Sequence, residues 1–123
     1  MPLAWCAMLR FARVPGPCRS VPSSSEGDSV HQAGQQEHLI ETPAARVWRW
    51  TLAPEHSTGH HRHEHDYIVV PVTGGVLSVT GADGETTTMR QVAGQPYAGN
   101  AGVEHEVVGA DTGEVVFVEI EIL

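Results

Sequence analysis

The segment Gly59-His60-His61-Arg62-His63-Glu64-His65-Asp66-Tyr67 concentrates the groups in this chain that can do chemistry. Five of the eight histidines lie between positions 56 and 65. Side chains on an extended backbone alternate between two faces. His61, His63, His65 and Tyr67 therefore share one face. Arg62, Glu64 and Asp66 share the other, which Ile68 and Val70 continue. Charged groups are costly to bury without partners, whereas neutral imidazoles are cheaper to bury, and cheaper still on a metal. The odd-numbered face is expected to point inward. Neutral imidazole is the commonest protein ligand for metals such as zinc, iron, copper and nickel. Two histidines at i and i+2 on a strand can converge on one ion, with a third ligand supplied from elsewhere. His105 is the one further histidine in the β-rich part besides His38 near its edge. The expectation is a divalent metal ion (iron, nickel, manganese or zinc) held by His61, His63 and His105, with His65 as a further candidate ligand. The plainer alternative is a solvated histidine-rich loop that binds metal loosely.

The elements that must position these residues read as β-strands. Val47, Arg49 and Thr51 alternate with Trp48, Trp50 and Leu52, the pattern of a half-buried strand. Both tryptophans read as core or interface residues. His61 to Val72 is a second extended run, ended by Thr73-Gly74-Gly75, and Val76 to Thr80 is a third strand. Gly81-Ala82-Asp83-Gly84 is a hairpin turn, because Asp-Gly supplies the backbone angles such turns need. Glu85 to Val92 returns as its partner strand. Residues 94–102 read as loop, and His105 to Val108 as a short strand. Val115 to Leu123 is the last strand, with Val116, Val118, Ile120 and Ile122 on one face. Nothing shows helical periodicity over three turns. Many short strands at this spacing predict an all-β barrel or sandwich.

Residues 1–36 differ in kind. Proline, serine, glycine and glutamine crowd positions 15–36, a composition too poor in apolar groups to offset its ordering entropy. This stretch is expected to be a disordered tail, and residues 37–123 to form one domain. Charge divides at the same place: residues 1–36 carry a net +1 and residues 37–123 a net −9, with no lysine anywhere. An acidic domain repels phosphate backbones, so nucleic acid is an unexpected partner. No apolar run approaches the roughly 20 residues that cross a bilayer as a helix. Cys6 and Cys18, the two cysteines, both lie in the tail. That leaves the domain without a disulfide framework and is consistent with a cytoplasmic setting. A domain this small gains from burying more surface, so a homodimer is expected.

The histidine segment resembles the first motif of the cupin family, G-(X)5-H-X-H-(X)3,4-E-(X)6-G, with His61, His63 and Gly74 in place. The second motif, G-(X)5-P-X-G-(X)2-H-(X)3-N, finds Gly94, Gly102 and His105. The resemblance covers about residues 45–123. It departs at Glu55, Tyr67, Asn100 and Gly109, which stand where the motifs have glycine, glutamate, proline and asparagine. It implies a double-stranded β-helix, or jelly-roll barrel, around a metal. Because Tyr67 replaces the usual glutamate ligand, the implied centre has three histidines and an open coordination position, the mark of a catalytic rather than structural site. His65 or Tyr67 is a candidate to fill an open position, and Tyr67 is alternatively a candidate general base if the metal lowers its pKa from about 10. Two functions follow: an enzyme acting on a small molecule, of oxygenase, isomerase or lyase type, or a non-catalytic, sensor-type module that binds a metal or small ligand.

Overall fold

The structure is a computed structural model that describes residues 31–123. Its strands are β1 (Gln32–Ala33), β2 (Gln35–Glu41), β3 (Ala45–Leu52), β4 (His56–Ser57), β5 (His61–Arg62) and β6 (Tyr67–Pro71). They continue with β7 (Gly75–Gly81), β8 (Thr86–Gln91), β9 (Tyr97–Gly99), β10 (Glu104–Gly109) and β11 (Val115–Ile122). One sheet runs β9-β6-β11-β3-β2. The other runs β1-β4-β10-β7-β8, with β5 paired to the free part of β10. Every pairing is antiparallel except that of β1 with β4. The all-β jelly roll expected from the sequence is what forms, and no helix occurs among the described residues.

The strand alternation read from the sequence places the core between the sheets. Trp50 and Leu52 of β3, Tyr67 and Val69 of β6, and Val115 and Phe117 of β11 face Leu77 of β7 and Val107 of β10. Leu52, Leu77 and Val115 are fully buried, each contributing about 1.5–3 kcal/mol by transfer from water. The hairpin between β7 and β8 turns at Gly81–Gly84 as expected, with Gly84 at φ 83°.

Three details differ from the sequence reading, and a fourth settles a face that it left open. The expected boundary at residue 36 falls inside β2. Gln32 and Ala33 already pair with β4, and Gln35 and Gln36 pair with β3. Gly34 packs so closely on Leu52 that a side chain there would overlap it. The expected tail up to residue 30 lies outside the described residues. The extended run from His61 is broken between Arg62 and Tyr67, where the chain leaves one sheet for the other. Residues 94–102 are not all loop: β9 pairs with β6, Tyr97 opposite Val69 and Gly99 opposite Tyr67. In β11, the inward face is Val115, Phe117 and Glu119. The aliphatic set Val116, Val118, Ile120 and Ile122 faces outward, half-buried to exposed.

Candidate metal centre

Three imidazoles meet at one end of the space between the sheets. β5 pairs with β10 so that His61 stands directly opposite His105. Side chains opposite each other on paired strands lie on the same face. His63 follows just past the end of β5. Its N–H donates to the Val103 carbonyl at 2.8 Å, and its own carbonyl accepts from Gly102 at 2.8 Å. These bonds hold the turn that brings its ring beside the other two. Nε2 of His63 lies 3.2 Å from Nε2 of His61 and 3.1 Å from Nε2 of His105.

Those two spacings are what a shared ion requires, and all three ligand nitrogens lie within 4.8 Å of one another. Nitrogens at the usual 2.0–2.1 Å from a metal stand about 2.8–3.0 Å apart at right angles and about 3.3–3.4 Å apart at the tetrahedral angle. The tautomer of His61 agrees. Its Nδ1 lies 2.8 Å from the Gly59 carbonyl, which can only accept, so Nδ1 carries the proton and Nε2 presents its lone pair. Burial, then the neighbouring His105 and His63, hold the His61 imidazole well below its ordinary pKa. Burial and then His105 lower His63 to about 3, and burial and then His60 lower His105 to about 4. All three rings are therefore neutral at pH 7, the form that binds metals. The residues present fit a divalent ion, and among the described residues no other group of histidines, cysteines and acids converges in this way.

The centre opens onto a cavity of about 180 Å³. Val69, Leu77, Val79, Met89, Val107 and Phe117 give it apolar sides. Tyr67, Tyr97 and Glu119 supply polar groups from the opposite sheet. The Tyr67 ring stacks on His63 with centroids 3.8 Å apart and planes 17° apart. Gly99 lies against that ring so closely that any Cβ would overlap it, which explains why β9 carries glycine there. The sequence placed Tyr67 on the ligand face, and the structure agrees. In the metal-free protein, burial and then Glu119 push its phenol up to about 12. The group keeps its proton at neutral pH.

His65 does not join the centre. It lies in the bend between β5 and β6, half-buried, and does not line the cavity. The bend takes it off the alternation that a continuous strand would have imposed. Its neighbour Asp66 is tied down instead, accepting from the Ala101 N–H at 2.8 Å through Oδ1 and from the Ile122 N–H at 2.8 Å through its carbonyl. His60 points away on the wrong parity and meets Glu104 at 2.7 Å on the surface.

Glu119 is the residue the sequence reading passed over. It lies in β11, 9% exposed, on the inward face with Phe117. Burial and then Glu121 raise its carboxyl to about 8. Its nearest partner is Nδ1 of His63 at 3.7 Å, beyond hydrogen-bond reach. With the acid raised and the imidazole lowered, that contact joins two largely neutral groups near pH 7 and is not an ion pair. The signal was available in Val-Val-Phe-Val-Glu-Ile-Glu-Ile: one face is wholly aliphatic, so the acids must share the other with Val115 and Phe117.

The chain is 51% identical over 83 residues to the β-alanine degradation protein BauB of Pseudomonas aeruginosa, covering 68% of this chain and 86% of that protein. A cupin domain from Bordetella pertussis superposes with a TM-score of 0.72 at 36% identity, covering 76% of this chain and 96% of that one. The chain belongs to the cupin family. An RmlC-like cupin with a double-stranded β-helix from Methanocaldococcus jannaschii has the same fold at a TM-score of 0.62 and 14% identity, covering 87% of this chain and 93% of that one. No family model matches the sequence. Two departures from the cupin motifs have a local reading in this cupin. Glu55, in place of the opening glycine, keeps the left-handed backbone at φ 68°. Gly109, in place of the final asparagine, lies where a Cβ would come within 2.5 Å of the Ala53 carbonyl oxygen.

Proposed function

We propose that this cupin binds one divalent metal ion through Nε2 of His61, His63 and His105 and acts on a small molecule in the cavity beside it. The convergence of the three Nε2 atoms beside a largely apolar cavity carries this reading. A divalent ion held by neutral imidazoles keeps its full charge and can polarise an oxygen of a bound molecule or acidify a water. The chain's own residues do the rest. The Gly59 carbonyl holds His61 in the ligating tautomer. Tyr67 backs the His63 ring. The apolar sides exclude water, which strengthens polar contacts made inside.

Size narrows the molecule. A cavity of about 150 Å³ accommodates benzene, so about 180 Å³ suits a compound of about six to eight non-hydrogen atoms. The name of the Pseudomonas aeruginosa relative, a protein of β-alanine degradation, supports a metabolite of that size. A binding module without turnover is the second reading, favoured by the absence of any carboxylate from the converging ligand set. A homodimer would cover the outward aliphatic face of β11, and the absence of cysteine from the described residues suits a cytoplasmic setting.

The test is metal binding by the untagged chain against His105→Ala. Wild type should take up one divalent ion per chain, and the variant should lose at least 100-fold in affinity while remaining folded by circular dichroism. Equal affinity in both proteins would contradict the assignment.

A further inference from the structure

His61 owes its frame to hydrogen bonds more than to packing. Its strand, β5, is two residues long. The carbonyl beside its Nδ1 belongs to Gly59, which has a left-handed backbone at φ 78° and would meet nothing within 4 Å if it carried a Cβ. Glycine is conformationally free, so hydrogen bonds must set where that carbonyl points. They form a series. The Gly59 N–H donates to Ser57 Oγ at 2.8 Å, and the Ser57 hydroxyl donates to Glu106 Oε2 at 2.5 Å. The Gly59 carbonyl accepts from His61 Nδ1 at 2.8 Å and from Thr58 Oγ1 at 3.0 Å. Ser57 is itself fixed: it is 4% exposed, and its backbone pairs on both sides, with Ala33 of β1 and Val108 of β10.

We propose that Ser57 is a positioning residue for the metal centre: anchored on Glu106, it holds Gly59 so that the Gly59 carbonyl fixes His61 with Nε2 turned toward the ion. The inference rests on the metal-binding reading above and adds the group that prepares one of its ligands. Ser57 touches no ligand; it acts through Gly59. The role needs a side chain that accepts one hydrogen bond and donates another in a buried site, which a hydroxyl does. Strand β10 then serves the centre twice. His105 supplies a ligand, and Glu106, the next residue and so on the opposite face, anchors the series that sets His61. Partners that orient a ligating imidazole are worth about 10–100-fold in metal affinity.

The experiment takes two readings on the full-length, untagged protein: zinc affinity by calorimetry and, without metal, the His61 tautomer by nitrogen-15 NMR. Ser57→Ala should bind zinc about tenfold or more weakly and show a mixed His61 tautomer. Ser57→Thr, which keeps the hydroxyl, should match wild type in both. Glu106→Ala should behave as Ser57→Ala does, and Glu106→Gln, which keeps an acceptor oxygen, should not; this pair gives the answer if a Ser57 variant does not fold. Wild-type affinity and a single tautomer in the alanine variants overturn the proposal. Weaker zinc binding with an unchanged tautomer also overturns it and leaves Ser57 a packing role alone. A wild type that takes up no zinc contradicts the metal reading and this proposal with it, whereas zinc uptake by wild type with either preceding result contradicts this proposal alone.

Discussion

The two walls of the cavity are built on different terms. The histidine wall is local: His61 and His63 are two residues apart, and one strand pairing adds His105. The opposite wall draws Tyr67, Tyr97, Phe117 and Glu119 from three strands of the other sheet. Depressed pKa values on the first wall and raised ones on the second share a leading cause, burial. Imidazole responds to desolvation by losing its proton and becoming a ligand, while carboxyl and phenol respond by keeping theirs. In the metal-free protein one cavity therefore holds lone pairs on one side and protons on the other.

His63 touches both walls, so its removal should have the largest effect. His63→Ala should abolish stoichiometric metal binding, leave the Tyr67 ring unstacked and lower stability by about 2 kcal/mol; calorimetry with metal and thermal melts measure both. Native-like affinity in that variant would break the comparison at its centre. Gly99→Ala attacks the other wall alone. Its new Cβ overlaps the Tyr67 ring, and the variant should be about 1–3 kcal/mol less stable in urea titrations.

The pH dependence of the metal-free protein sharpens the contrast, because the two walls have opposite signs. His63 and His105 titrate at about 3 and 4 in the fold, against 6.5 in the unfolded chain. Between those values the unfolded state binds more protons, so their contribution is present above pH 6.5 and lost as pH falls. Glu119 titrates at about 8 in the fold against 4.5 unfolded. Its contribution is present below pH 4.5 and lost as pH rises towards 8. Glu119→Gln should therefore gain stability over wild type as pH rises from 5 to 8, as denaturant titrations measure. A constant difference across that range would deny the carboxyl its raised pKa. The smallest effect belongs to Glu55, whose left-handed backbone costs a side-chain residue more than glycine. Glu55→Gly should raise the melting temperature slightly, equivalent to about 0.5–1 kcal/mol, without altering metal affinity.

The difference between the walls also explains what could be read from the sequence. His61, His63 and His105 were legible because strand alternation and motif spacing both act over short distances along the chain. His65 misled because alternation assumes one unbroken strand, and the backbone between Arg62 and Tyr67 crosses from sheet to sheet. Strand β9 was hidden because Tyr97-Ala98-Gly99 sits among glycine, proline and asparagine, and its glycine is required by the Tyr67 ring, a contact made only in the fold. The start of the domain was placed late because Gln32–Gln36 look like tail by composition; they are strand by virtue of pairing with β3 and β4. Glu119 needed a choice of which β11 face turns inward, and hydrophobicity alone points to the wrong one.

X-ray absorption spectroscopy at the metal edge of the untagged, metal-reconstituted protein addresses the three-histidine centre most directly. The geometry predicts one ion per chain, with first-shell scattering from nitrogen or oxygen at about 2.0–2.2 Å and outer-shell scattering from three imidazoles, falling to two in His105→Ala. A spectrum with no imidazole outer shell, or one unchanged by that substitution, would contradict it.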